Sequence, residues 1–182
     1  MRFEAPNHDR RSIRVPGFDY AQPGAYFVTI CTRDRLPLFG RIIRGAMRLS
    51  RMGWIVSDEW MRTPAVRPYV RSDAFVVMPD HVHGIIVIAD DRGVARCRTA
   101  PIAASGPASG SVGAIVGQFK SVATKRINAV RETPGALVWQ RGYYECVVRD
   151  RAMLNRIRRY IADNPTRWAG GTGLGASDRI TP

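Results

Sequence analysis

The stretch Tyr69–Ala89, YVRSDAFVVMPDHVHGIIVIA, decides the fold. Two runs rich in β-branched residues flank Met78-Pro79-Asp80, and proline followed by aspartate is turn chemistry. The stretch therefore predicts a strand, a turn and a second strand from His81 to Ala89. Side chains alternate faces along a strand, so His81 and His83 project together and Val82 points away. Two neutral imidazoles side by side can share one divalent cation. Ordinary histidines on the polar face of a half-buried strand would look the same. The pair needs a third ligand and a substrate before it carries meaning.

Outward from this hairpin, Pro23-Gly24 is a turn, followed by a predicted strand from about residue 26 to 33, with Tyr26, Val28 and Ile30 on one face and Phe27, Thr29 and Cys31 on the other. Residues 36–45 read as irregular. Residues 44–62 place Met47, Trp54, Ile55 and Met61 at roughly helical spacing, with Pro64 past the end. Residues 111–130 predict a helix capped by Ser111, with an apolar stripe of Ile115, Phe119, Val122 and Ile127. Residues 136–148 suggest a short strand, a turn at Gly142 and a strand from 143 to 148. Asp150 can cap a last helix that stops before Pro165. The order β, α, β, β, α, β, α describes an α+β sheet protein and excludes a parallel, doubly wound one. Residues 1–15 read as a basic arm, 90–110 as a long loop of Ala, Ser, Gly, Pro and Arg, and 169–182 as a glycine-rich tail.

The chain has 182 residues, enough for one domain with a real core. Lys and Arg number 28 against 15 Asp and Glu, a net charge of +13. A small domain this basic usually meets a polyanion. The longest apolar stretch, GIIVIA, is strand-sized, so no membrane span is expected. Nor does the N-terminus carry the apolar core of a signal peptide. Three cysteines, Cys31, Cys97 and Cys146, form no Cys-x-x-Cys, which fits free thiols in a reducing cytoplasm. Cys31 and Cys146 lie in apolar runs, where they pack.

The last helix offers what the histidines lack. Tyr160 and Asn164 are four apart and share a helical face, beside a stripe of Met153, Leu154, Ile157 and Ile161. A phenol at the edge of such a stripe keeps its ring packed and its hydroxyl free. The Asn164 amide oxygen can ligate a hard cation. Each has a plain alternative: tyrosine as core, asparagine as a helix stop.

PDHVH with its apolar strand resembles the HUH motif (His, hydrophobic, His) of single-strand DNA endonucleases. VWQRGYYECVVRD followed by IRRYIADNP resembles the C-terminal signature of REP-associated tyrosine transposases, relatives of single-tyrosine insertion-sequence transposases. RRSIRVPGFDYAQPGAYFVTICT and GSVGAIVGQFKSVATKRIN are similar to the family's N-terminal and middle segments, so the likeness spans roughly residues 10–168 in register.

The resemblance implies a ferredoxin-like HUH domain over residues 16–168, with a central antiparallel sheet. It implies His81, His83 and Asn164 as ligands of Mg²⁺ or Mn²⁺, and Tyr160 as the nucleophile that forms a 5′-phosphotyrosine. Zinc suits a neutral amide ligand less well. The rival tyrosines, Tyr143 and Tyr144, have no amide four residues on. The expected partner is single-stranded or hairpin DNA at repeat elements, bound by a monomer or homodimer. Arg10, Arg11 and Arg14 on the arm, Lys120, Lys125 and Arg126 on the middle helix, Arg141, and Arg156, Arg158 and Arg159 near the tyrosine are candidate phosphate contacts. Two rivals stand beside this enzyme: a non-catalytic binder of hairpin DNA or RNA, and a metal-dependent nuclease that uses water.

Overall fold

The computed structural model describes residues 17–90 and 107–168. The arm at 1–15, most of the 90–110 loop with Cys97, and the 169–182 tail lie outside the described residues.

Strands β1 (Gly24–Cys31), β4 (Val70–Val77), β5 (His81–Ile88) and β6 (Tyr144–Val148) form one sheet in the order β4-β5-β1-β6. Neighbours are antiparallel throughout. So β1 and β4 run the same way with β5 between them, and β5 and β6 do the same around β1. This is the doubled split-βαβ plan of ferredoxin-like folds. A separate ribbon pairs β2 (Gly40–Ile43) with β3 (Ala46–Leu49). The helices are α1 (Arg51–Val66), α2 (Val112–Arg131) and α3 (Arg151–Arg167).

One sheet face carries Tyr26, Val28, Ile30, Val82, Ile86 and Ile88, packed against Ile55, Val56 and Trp60 of α1 and Ile115, Phe119 and Ile127 of α2. The other carries Phe27 and Ile85 under Met153, Ile157 and Ile161 of α3. The sheet is thus buried on both faces. A third helix on the side opposite α1 and α2 brings Tyr160 over the histidines.

Gly84 sets the spacing of the α1 face. A Cβ there would lie 2.3 Å from Trp60 Cζ2. The indole stacks on Phe75 at 4.6 Å and donates from Nε1 to Ser72 Oγ at 2.6 Å, so it cannot yield easily. Gly84→Ala is expected to destabilise the protein by about 1–3 kcal/mol through overpacking. At about 2–4 °C per kcal/mol for a domain of this size, a thermal melt should show the loss. An unchanged melting temperature would mean that Trp60 is free to move.

Several sequence expectations need correction. Residues 44–62 are not one helix: 46–49 form β3, and α1 begins at Arg51 behind the cap Ser50, whose side chain accepts from Gly53 N–H at 3.1 Å. Residues 36–45 are not wholly irregular, because β2 lies within them. The first strand begins at Gly24 and ends at Cys31. Trp54 and Met61 are exposed, at 66% and 64%, while Ile55, Val56 and Trp60 form the buried stripe. Both helices run through their prolines, Pro64 and Pro165. Each proline removes one donor from a last turn. Beyond Pro64 the Arg67 N–H still closes on Thr63 O at 3.0 Å. In place of a short strand near 138, Trp139 makes an isolated bridge to Thr32. The side-chain caps at Ser111 and Asp150 are as expected.

Candidate active site

Strand β5 turns His81 and His83 toward α3, and both are buried, at 0% and 1% exposure. They are core residues, not occupants of a half-solvated strand face. Register with β1 sets Cys31 opposite His81 and Thr29 opposite His83. The outer ring nitrogens are tied back: His81 Nδ1 lies 2.6 Å from Asp80 Oδ1, and His83 Nδ1 lies 2.8 Å from Thr29 Oγ1. The inner nitrogens, both Nε2, face each other at 3.0 Å. Tyr160 Oη stands 3.4 Å from His83 Nε2. Phe27 stacks on His83 at 5.5 Å and meets the edge of Tyr160 at 6.1 Å, fixing both rings. Trp168 lies beside His81, ring to ring at 5.8 Å.

Asp80 is held from its other side. Its Oδ2 pairs with Arg35 Nε at 2.9 Å. Thr32 donates from N–H and hydroxyl to Asp80 O, each at 2.9 Å, and Phe39 N–H donates to Pro79 O. These bonds dock the 32–39 segment, with Arg35, onto the Pro79–Asp80 turn. A carboxylate only accepts, so His81 donates from Nδ1 and keeps a lone pair at Nε2. The Thr29 hydroxyl can donate or accept, so His83 can offer either N–H or lone pair at Nε2 without losing that bond. Burial first, then the electrostatic influence of the neighbouring His81 ring and of the Arg35 guanidinium, hold His83 well below its usual 6.5, which favours the neutral imidazole.

The pair fits a hard divalent cation. Ligands about 2.1 Å from an octahedral ion and at right angles lie about 3.0 Å apart, close to the Nε2 separation. Among the described residues no three His, Cys, Asp or Glu side chains cluster as ligands. Asn164 sits half-buried on α3, one turn beyond Tyr160. Since Asp80 orients His81, Asp80→Asn is expected to weaken Mn²⁺ binding by about 10–100-fold, read by electron paramagnetic titration of DNA-free protein. Wild-type affinity in that variant would show that the carboxylate does not orient the ring.

Of the rival tyrosines, Tyr143 lies across the sheet from the pair and Tyr144 lies on its face. Tyr143 donates to Glu145 Oε2 at 2.8 Å and packs into the core on the α1/α2 side. Tyr144 is on the histidine face and sets its ring 6.2 Å from Phe27. Among the candidate DNA contacts, Lys120 donates from Nζ to the carbonyls of Gln140 and Gly142 at 2.8 and 3.0 Å, and burial lowers its pKa. Arg126 pairs with Asp58 and Glu59 of α1. Both are on α2, across the sheet from the histidines. Arg158 makes a bidentate pair with Asp73. Lys125, Arg141, Arg156 and Arg159 are exposed, the last two on α3. Arg10, Arg11 and Arg14 lie outside the described residues. The sequence reading missed Asp80, Arg35, Thr29 and Phe27 as site residues. Asp80 had a signal, its place directly before His81; the others depend on strand register.

No family model matches the chain. A Haemophilus influenzae protein described only as uncharacterised is 38% identical over 171 residues, covering 92% of this chain and 94% of its own. Among solved structures, a REP-associated tyrosine transposase bound to a REP hairpin matches with a TM-score of 0.55 at 17% identity, over 81% of this chain and 70% of its own. A candidate transposase from Deinococcus radiodurans gives a TM-score of 0.45 at 17% identity, over 82% and 95%. The chain therefore has the α+β fold of the REP-associated transposase. Among the described residues no helix is long and apolar enough to cross a membrane.

Proposed function

We propose that this chain, which belongs to the same family as the Haemophilus influenzae protein, is a metal-dependent endonuclease and strand transferase of single-stranded DNA at repeat-associated hairpins. One observation carries the reading: a tyrosine hydroxyl 3.4 Å from Nε2 of His83, one of two buried imidazoles whose Nε2 atoms face each other. The hairpin-bound transposase of like fold and the chain's charge of +13 support DNA as the partner.

A divalent cation, Mg²⁺ or Mn²⁺, held by His81, His83 and Asn164 would supply charge neutralisation at the phosphate oxygens. The chain's residues do the rest. Tyr160 Oη attacks phosphorus and loses its proton. The bond from phosphorus to the 3′ oxygen breaks, and that oxygen takes up a proton as a free 3′-hydroxyl. The 5′ phosphate stays on Tyr160, so the ester energy is kept and another 3′-hydroxyl can reverse the step. Phe27 holds the phenol against His83.

The test is a hairpin with single-stranded flanks, taken from the sequence beside the gene and labelled at both ends, with Mn²⁺ or EDTA. The expected result is metal-dependent cleavage in which one fragment has an extendable 3′-hydroxyl and the other is bound to protein. Two protein-free fragments would assign the attack to water. Binding without cleavage on a substrate of confirmed affinity would leave a non-catalytic hairpin binder.

A further inference from the structure

The β2–β3 ribbon is built against its own stability. Register pairs Arg41 directly with Arg48. Both are exposed, and like charges directly opposed across a ribbon repel. The turn joining the strands is Arg44-Gly45, at φ 50° and 73°. Two left-handed residues in a two-residue loop make the type I′ geometry, whose first position favours Asn, Asp or Gly. Arginine there is strained, and strain of this kind points to a use. Among the described residues no acidic side chain pairs with Arg41, Arg44 or Arg48.

The strained tip lies beside the candidate active site. A Cβ on Gly45 would sit 3.3 Å from Thr166 Cγ2 and 3.6 Å from Thr166 Cα. Thr166 is on α3, six residues past Tyr160, roughly 9 Å along the axis at the usual helical rise. Trp168, beside His81, is two residues further on. On the outer face Ile43 is 38% exposed between the arginines, apolar surface next to guanidinium forks.

We propose that this face grips the sugar–phosphate backbone of the single strand that enters the Tyr160 site, with Arg41 and Arg48 sharing one phosphate and Arg44 holding the next toward α3. The inference rests on the nuclease reading above. A phosphate between Arg41 and Arg48 turns their repulsion into two attractions, and planar guanidinium matches phosphate bidentately. Ile43 offers a surface for sugar or base edges. A protein partner would need acidic side chains at this spacing, whereas a nucleic acid strand supplies its charges at regular intervals.

The test uses the full chain in EDTA, so that binding is read apart from cleavage. Arg44→Asn and the double variant Arg41→Gln/Arg48→Gln are compared with wild type in thermal melts without DNA. They are also compared in binding to a labelled single strand and to phosphatidylserine vesicles. Both variants should melt higher than wild type and yet bind the strand several-fold more weakly. The double variant should also reduce the salt slope of binding by about 0.7 for the lost phosphate contact. Higher melting with wild-type DNA affinity and slope would overturn the proposal, marking the arginines as solvated surface. Lost vesicle binding with DNA affinity intact would overturn it in favour of a membrane contact. Wild type that cleaves its hairpin while the variants bind as it does would sink this proposal and leave the nuclease reading intact. No single-strand affinity in wild type, in EDTA or with Mn²⁺, would end both.

Discussion

Tyr160→Phe is expected to abolish the covalent protein–DNA adduct while leaving hairpin binding within a few-fold of wild type. The ring stays where it is, set edge-on to Phe27 and beside His83. Only the hydroxyl goes, while the ring keeps its packing, so the fold should lose little. Cleavage should fall by about 10³-fold or more, because the phenol oxygen is the atom that forms the covalent bond. Denaturing gels of labelled DNA read both quantities. An adduct that persists in the variant would move the nucleophile elsewhere, with Tyr144 the first to examine because it shares the sheet face.

His81→Ala should remove metal binding almost entirely. One of two fully buried imidazoles is lost, and the Asp80 carboxylate that oriented it keeps only Arg35 as a side-chain partner. The loss of Mn²⁺ affinity should exceed the about 10–100-fold typical of an outer-shell change. Calorimetric titration of DNA-free protein reads it, with a melt to confirm folding. His81→Asn, closer in volume and able to donate to Asp80, guards against a result that reports collapse alone. Wild-type Mn²⁺ affinity in both variants would place the ion away from this pair.

The sequence made the β4–β5 hairpin legible because Met78-Pro79-Asp80 combines a rigid φ with turn chemistry between two β-branched runs. The caps at Ser111 and Asp150 were legible for a similar reason, a single residue type at a single position. The β2–β3 ribbon was not. Its turn uses arginine where the geometry favours Asn or Gly, and its short strands put Met47 in helical phase with Trp54 by accident. The outward turn of Trp54 and Met61 was also hidden, since hydrophobicity does not tell which stripe of an apolar helix meets the sheet. At the site, sharing of a face by His81 and His83 follows from strand alternation alone. What orients them does not. Thr29 reaches His83 through the β1–β5 register, and Arg35 reaches Asp80 because the 32–39 segment folds onto the turn. Such long-range pairings leave no local trace in the sequence.

The most direct measurement is to trap the protein–DNA adduct with Mn²⁺, digest with nuclease and protease, and map the modified residue by mass spectrometry. The account predicts one phosphonucleotidyl tyrosine, at Tyr160. Modification at Tyr143 or Tyr144 instead, or cleavage that leaves no modified residue, would contradict it.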